Sequence, residues 1–241
     1  MKALTLVIST AALLAASPVV AQEKSWTGIY AGLNAQYTWN NWDWPGAPGY
    51  VAPPVPAGVD SGAPNQDLSG AMFGGVLGYN YQIDRIVLGV EGDFNFGNLS
   101  DSKRDGNYIV ETSKIENFAS IRARAGLLVS PALLVYATGG VAFENMTYGE
   151  SCPDKAAVPF GWCSKHGAYD LSKSQWNTGY VVGGGAEWMI AENVSLKLEG
   201  LYADFGTNTY DLGKMGDGVD LPSKKISSTE TSLRIGLNYH F

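Results

Sequence analysis

Seven charged side chains interrupt apolar segments of this chain at alternate positions, and their types could support chemistry in the interior of a fold. They comprise four cations and three anions: Glu91, Arg122, Arg124, Glu187, Lys197, Glu199 and Arg234. Glu91 beside Arg122 and Arg124 would have the residue types of an acid–base pair. Buried opposite charges, however, are tolerated when they pair and hydrogen-bond with one another. We therefore expect a structural network of ion pairs instead of a catalytic centre.

The two histidines, His166 and His240, do not indicate an enzyme. A hydrolase needs a nucleophile, a histidine and an acid close to a pocket, and neither histidine belongs to a recognisable motif of this kind. The glycine run at 183–185 lacks the Lys-Ser/Thr pair of a phosphate-binding loop. We expect no enzymatic activity and no resident cofactor.

The N-terminus predicts export from the cytoplasm. A basic start is followed by an apolar stretch and by small residues up to Ala21, which is typical of a cleaved signal peptide over residues 1–21. The mature domain would then cover residues 22–241.

The chain has two cysteines, Cys152 and Cys163. Two nearby cysteines in an exported protein favour a disulfide, because the compartment is oxidising. Zinc bound by these cysteines and His166 is the alternative, but structural zinc requires four ligands.

Eight segments alternate apolar and polar side chains, the pattern of β-strands with one apolar face. The clearest is the last, residues 232–241, which ends on the aromatic Phe241. Segments of about ten residues cross a bilayer as tilted strands, and a membrane barrel turns their apolar face toward lipid. The predicted strands cover residues 27–39, 69–82, 86–96, 115–128, 133–144, 178–190, 194–205 and 232–241. The predicted fold is all-β: an eight-stranded antiparallel up-and-down transmembrane β-barrel.

The connections between these strands alternate in length, which predicts an orientation. Long connections cover residues 40–68, 97–114, 145–177 and 206–227, and short turns lie between them. Outer-membrane barrels have short periplasmic turns and longer extracellular loops. We therefore expect four extracellular loops, with both termini in the periplasm.

Composition excludes several other classes. The net charge is −7, and an acidic chain lacks the clustered Lys and Arg that nucleic-acid binding needs. After the signal segment, no apolar run reaches the roughly 20 residues of a membrane-spanning helix. A soluble β-sandwich or lipocalin-like barrel is the alternative fold, but its charged residues would lie scattered on the surface with no reason to balance.

The strand sequences resemble the porin-like outer-membrane proteins of alphaproteobacteria, a family of eight-stranded barrels that includes major surface antigens and hemin-binding proteins. The matching segments are WTGIYAGLN (26–34), FGGVLGYNYQ (73–82), VLGVEGDF (87–94), SIRARAGL (120–127), VYATGGVAF (135–143), GGGAEWMI (183–190), LKLEGLYADFG (196–206) and RIGLNYHF (234–241). Each is weak alone, but together and in this order they are specific. The long connections show no match, so the loop functions of particular members are not implied.

The resemblance implies two partners and one weak ligand hypothesis. The barrel-assembly machinery would recognise the terminal aromatic, Phe241, as an assembly signal. Lipid and lipopolysaccharide of the outer membrane would surround the barrel. Hemin, or a ligand on a host surface, would bind the loops, and the candidate axial ligands for hemin are His166, Tyr148 and Tyr169. Exposed loop aromatics without such a role are the simpler interpretation of these residues.

The leading functional hypothesis is a structural outer-membrane surface protein that contributes to envelope integrity. A loop-mediated hemin-binding or adhesion protein is one alternative, and a small diffusion channel is another. Eight strands leave an interior just filled by side chains, which argues against a channel.

Overall fold

The computed structural model of the protein describes residues 25–43, 67–104, 109–152, 167–215 and 217–241. Eight antiparallel strands pair in chain order, and β1 pairs with β8 to close a barrel. The strands are β1 (Gly28–Asp43), β2 (Asp67–Ile83), β3 (Ile86–Arg104), β4 (Val110–Ser130), β5 (Leu133–Cys152), β6 (Tyr169–Met189), β7 (Val194–Tyr210) and β8 (Lys224–His240). The prediction of an eight-stranded antiparallel up-and-down barrel is therefore confirmed. The predicted signal peptide, residues 1–21, lies outside the described residues and stays a prediction.

The barrel wall is apolar outside and polar inside. Outward side chains such as Leu33 and Ile121 are 74% and 67% exposed, whereas their inward neighbours Asn34 and Arg122 are buried. Leaving so much apolar surface in water would be unfavourable, so this band requires a lipid environment. None of the described residues belongs to a helix long and apolar enough to cross a membrane.

The two ends of the barrel differ, and we name them by their connections. The terminal end carries the start of β1, the end of β8 and the short turns after β2, β4 and β6, while the loop end carries the longer connections. Exposed aromatic side chains lie near both ends of the apolar band. They are Tyr81, Trp188, Tyr239 and Phe241 at the terminal end, and Trp39, Phe73, Phe96 and Tyr202 toward the loop end.

Several strands extend farther at the loop end than the apolar pattern predicts. β5 continues to Cys152 and β6 begins at Tyr169, so the predicted loop at 145–177 is wrong in its bounds. The loops at 97–114 and 206–227 are wrong in the same way. Beyond the apolar band the outward residues are polar, for example Thr112 and Thr147, and apolar alternation no longer marks the strand.

At the loop end the barrel divides into two sheets of four strands. Among the described residues, the pairing of β2 with β3 ends at Met72↔Gly97, and the pairing of β6 with β7 ends at Tyr180↔Asp204. Neither pairing continues from there toward the loop end. The extensions of β3, β4, β5 and β6 stay paired with one another, and we call them the first loop-end sheet. The extensions of β7, β8, β1 and β2 form the second loop-end sheet.

An apolar cluster joins the two loop-end sheets. The ring centroids of Tyr148 in the first sheet and Tyr210 in the second are 6.0 Å apart in an edge-to-face arrangement. Buried apolar residues from both sheets surround this contact, namely Leu99, Ile115 and Met146 from the first, and Leu68, Met72 and Ile226 from the second. The barrel therefore continues beyond its apolar band as a small packed core.

β-bulges allow these extensions to turn apolar residues inward. In β4 the register shifts between Ile115 and Asn117, which changes the inward-facing positions from even to odd numbers. Simple alternation would place Glu116 inside, but it lies at the surface with its Oε1 atom 2.7 Å from Nζ of Lys114. A similar shift in β7 includes Gly206, whose φ of 62° favours glycine.

Lys224 forms an electrostatic link between the two loop-end sheets. Its Nζ atom is 3.3 Å from Oε2 of Glu150 and 3.5 Å from Oε1 of Glu111, both in the first sheet. Burial would lower the pKa of Lys224, but the carboxylates of Glu150 and Glu111 outweigh this effect and raise it. The link therefore stabilises the fold below the unfolded lysine pKa of about 10.4, and its contribution declines as pH rises through the higher folded-state pKa.

We predict that Lys224→Gln loosens the loop end without unfolding the barrel. Loss of a partly buried ion pair of about 1 kcal/mol should raise amide hydrogen exchange roughly fivefold in residues 146–152 and 207–210. Mass spectrometry of the protein in detergent at neutral pH would measure this. The matched control is Lys225→Gln, because Lys225 is the adjacent exposed lysine. Equal exchange in the two variants would contradict the link.

Candidate functional site in the barrel interior

Glu91 lies at the centre of the buried charges. Lys197 places its Nζ atom 2.9 Å and 2.8 Å from the two carboxylate oxygens of Glu91. Arg122 donates to Oε1 of the same carboxylate, and the Tyr30 hydroxyl donates to Oε2 at 2.7 Å. Two cations therefore neutralise this carboxylate directly, which a charge in a low-dielectric interior requires.

Arg122 and Arg234 join further carboxylates to this centre. Arg122 Nη1 is 3.0 Å from Oε1 of Glu199, and its Nη2 is 3.2 Å from Oδ2 of Asp93. Arg234 Nη2 lies 3.0 Å from Oδ1 of Asp93 and also donates to Gln36. Both guanidinium groups thus use several of their five donors, which favours arginine over lysine at these positions.

Arg124 extends the network toward the terminal end. Its Nη1 atom is 2.8 Å from Oε2 of Glu187, and its Cζ atom lies 4.8 Å from the Tyr30 ring centroid and 5.1 Å from that of Tyr136. An arginine between two aromatic faces gains cation–π stabilisation that is larger when the site is desolvated. The guanidinium is therefore held in place by both charge and stacking.

The structure brings all seven sequence-predicted charged residues into this one interior network. Sequence reasoning missed Asp93, which pairs with both Arg122 and Arg234. Its position two residues after Glu91 on the same strand face was the available signal. With Asp93 included, the network contains four cations and four anions.

A close approach at Gly78 positions one of the polar side chains. A Cβ atom at Gly78 would lie 2.2 Å from Cζ of Tyr30. Only glycine therefore leaves room for this ring to lie over the inner face of β2 and reach Glu91 on β3. The outward-facing Gly75 shows no such crowding, since its nearest neighbour is 3.7 Å away.

His240 approaches both a serine and a carboxylate, but the arrangement is not that of a hydrolase. Ser195 Oγ is 2.9 Å from Nε2 of His240, and Oε1 of Glu187 is 3.5 Å from the same nitrogen. A catalytic triad uses opposite ring nitrogens for the nucleophile and the acid. The three side chains are also buried. We assign them to the packing of the terminal end.

Apolar residues close the barrel between the ion network and the terminal end. Trp26 is fully buried at the terminal end, where its Nε1 atom donates to the Pro131 carbonyl at 3.2 Å. Its ring also contacts His240 edge to face, with 5.6 Å between centroids. The other members of this cluster are Val87, Leu128, Leu134, Tyr136 and Met189. The interior therefore holds the ion network between apolar layers at both ends.

The structure contradicts the predicted loop position of two hemin-ligand candidates. Tyr148 and Tyr169 lie in β5 and β6 and are only 0% and 8% exposed. The Tyr169 hydroxyl donates to Oε1 of Glu150 at 2.6 Å, and burial together with the nearby carboxylate of Glu111 raises the pKa of Tyr148. Both side chains are packed inside the loop-end sheets because those strands extend so far.

The remaining loop candidates, His166 and Cys163, lie outside the described residues. Cys152 is buried at the end of β5. The disulfide between Cys152 and Cys163 therefore stays a prediction.

Known outer-membrane proteins are similar to this chain over almost its whole length. The family described as "Outer membrane protein beta-barrel domain" matches residues 8–241. The chain belongs to this family of outer-membrane β-barrel proteins. Its sequence is 34% identical over 230 residues to the "31 kDa outer-membrane immunogenic protein" of Brucella melitensis. The aligned region covers 90% of this chain and 84% of that protein.

Other family relatives and barrels are more distant from this outer-membrane β-barrel protein. The "22 kDa outer membrane protein" of Rhizobium leguminosarum is 31% identical over 173 residues, covering 70% of this chain and 66% of that protein. The solved structure of OprG from Pseudomonas aeruginosa covers 89% of this chain and 96% of its own, with 15% identity and a TM-score of 0.48. The family and the Brucella and Rhizobium relatives are outer-membrane proteins, and the chain resides in the outer membrane.

Proposed function

We propose that this protein is a structural surface protein that contributes to envelope integrity. The observation that carries the proposal is the closed interior, in which paired charges lie between two apolar layers. A barrel filled in this way offers lipid an apolar band and offers solutes no evident path. Contacts with lipid and with lipopolysaccharide around the band would provide the structural role.

The loop-end sheets support a second part of the proposal, that the four loops face the cell exterior. Their strands continue for several residues beyond the apolar band before the long connections begin. Short turns and both termini would then lie in the periplasm, as is usual for bacterial barrels. Loops lifted in this way are available for contacts with ligands or with host surfaces.

The test of the structural role compares a strain lacking the protein with its parent. We expect the deletion strain to become more sensitive to detergent and to a large antibiotic that intact outer membranes exclude. Expression of the full chain should restore resistance. A variant with residues 48–62 of the first loop replaced by a Gly/Ser linker should restore it equally, because the barrel remains intact.

Two results would contradict this proposal. One is unchanged sensitivity of the deletion strain. The other is a loop-replaced variant that is present in the membrane at the parental level but fails to restore resistance, which would assign the function to the loop.

We also predict that Cys152 and Cys163 form a disulfide, which would join the end of β5 to the third long connection. The bridge would close a short loop, for which the chain-entropy model gives about 2–3 kcal/mol. Most of that stabilisation should act on the loop, since the strands are closed by hydrogen bonds. Reduction should therefore leave the β-sheet circular dichroism unchanged. Mass spectrometry that finds two alkylated thiols in protein isolated from membranes would contradict the pairing.

A further inference from the structure

A second polar layer lies inside the barrel between the ion network and the apolar core of the loop end. Its carboxylates are Glu144 in β5 and Glu230 in β8, and both are completely or almost completely buried. Asn40 in β1 and Ser228 in β8 are buried beside them. No residue of this layer belongs to the ion network described above.

Neutral groups alone hydrogen-bond to these carboxylates among the described residues. Oε2 of Glu144 accepts from Ser228 Oγ at 3.3 Å, and its Oε1 accepts from Asn177 Nδ2 at 3.1 Å. Oε1 of Glu230 accepts from Thr38 Oγ1 at 3.3 Å. Asn40 Nδ2 donates to Ser228 Oγ at 3.2 Å, which connects β1 to the same hydrogen-bonded chain.

Two buried oxygens of this layer have no hydrogen-bond partner among the described residues. They are Oε2 of Glu230 and Oδ1 of Asn40. Asn40 and Glu230 are direct cross-strand neighbours, so their side chains leave the wall about 5 Å apart and on the same side. A buried oxygen without a partner costs about 1–3 kcal/mol, and two such oxygens on cross-strand neighbours favour a missing electrophilic partner.

The charge balance also leaves this layer without a counter-ion. The four cations of the ion network are matched by the four carboxylates of Glu91, Asp93, Glu187 and Glu199. Arg234, four residues after Glu230 on β8, is directed to Asp93 and Gln36. Among the described residues, no lysine or arginine lies within ion-pair distance of Glu144 or Glu230. Neither carboxylate of this layer therefore has a cation in direct contact.

We propose that this layer is a binding site for one divalent cation of the calcium type. Calcium prefers carboxylate, amide and hydroxyl oxygens, and water completes its coordination. The protein ligands would be the Glu144 and Glu230 carboxylates, Oδ1 of Asn40 and Oγ of Ser228. Glu144 belongs to a strand of the first loop-end sheet, whereas the other three belong to strands of the second. The cation would therefore connect the two halves of the barrel where they begin to separate.

Calcium titration of the intact protein in detergent micelles tests the site. After dialysis against a chelator, isothermal titration with calcium chloride should show saturable binding of one ion, and the same ion should raise the thermal unfolding temperature. Glu230→Gln should weaken binding at least about tenfold, because it removes a charged ligand. Glu116→Gln is the matched control, since Glu116 is a carboxylate on the outer surface, and it should bind as the parent does.

A second variant keeps the test decisive if Glu230→Gln does not fold. Asn40→Leu removes the amide oxygen without changing charge, and heat-modifiable migration in gels would verify that either variant is folded. Absence of saturable calcium binding by the parent would overturn the proposal. So would parental affinity in a folded Glu230→Gln or Asn40→Leu variant, and protonated carboxylates would then account for the layer.

Discussion

Replacement of Arg122 by alanine is expected to lower the free energy of unfolding by about 3–5 kcal/mol. The guanidinium is the shared partner of Glu91, Asp93 and Glu199. Lys197 would still neutralise Glu91, but the cation nearest to Glu199 would then be Arg234, at 3.7 Å. Each remaining carboxylate would have to stay charged in a site from which water is excluded. Urea titration in micelles, followed by tryptophan fluorescence, would measure the change.

The control for this variant is Arg85→Ala, because Arg85 is exposed in the turn between β2 and β3. Its unfolding midpoint should match that of the parent within about 0.5 kcal/mol. Equal midpoints for Arg122→Ala and the parent would mean that the network does not stabilise the barrel.

Deletion of Phe241 is expected to reduce sharply the amount of protein that reaches the outer membrane. The side chain is 74% exposed at the terminal end and contacts Tyr239 edge to face, with 5.1 Å between centroids. An exposed terminal aromatic contributes little to packing, so the expected loss arises in assembly, through recognition by the barrel-assembly machinery. Immunoblots of fractionated cells should show the truncated chain as periplasmic aggregate.

Two substitutions separate recognition from a defect in strand pairing. The backbone N–H of Phe241 donates to the carbonyl of Ile29 at 2.9 Å, and a deletion removes this hydrogen bond together with the ring. Phe241→Ser keeps the hydrogen bond and should still insert poorly, whereas Phe241→Trp should insert normally. Normal insertion of Phe241→Ser would show that the aromatic ring is not the signal.

The membrane-spanning part of the fold could be predicted because lipid imposes a strict pattern on it. Every second residue there must be apolar, as Leu233, Ile235 and Leu237 are in β8, and this alternation fixes both strand and face. The interior charges follow from the same parity. Antiparallel neighbours then set direct pairs such as Glu91↔Arg122 and Glu199↔Arg234.

The loop end could not be predicted, because lipid does not surround it. Outward residues such as Thr112 and Thr147 face water there, so a strand and a polar loop have similar sequences. The bulge near Ile115 and Asn117 changes which positions of β4 face the interior. A prediction based on strict alternation does not allow for such a shift. The two sheets, and the buried positions of the tyrosines within them, follow from these long-range pairings.

The polar layer around Glu144 and Glu230 was missed for a related reason. Glu144 ends the predicted fifth strand, and Glu230 lies before the predicted start of the eighth. Each therefore looks like a solvated residue at the margin of a loop. Both carboxylates lie in the interior only because β5 stays paired with β6, and β8 with β7, beyond the predicted strand ends.

Ion conductance of the purified protein in planar lipid bilayers tests the central claim, a barrel whose interior is closed, most directly. A general porin inserted under the same conditions would provide the positive control. We predict that the protein gives no discrete current steps across a range of voltages in molar salt, because paired charges and apolar layers fill its interior. Reproducible steps from the correctly folded protein would contradict a closed interior and would favour a diffusion channel.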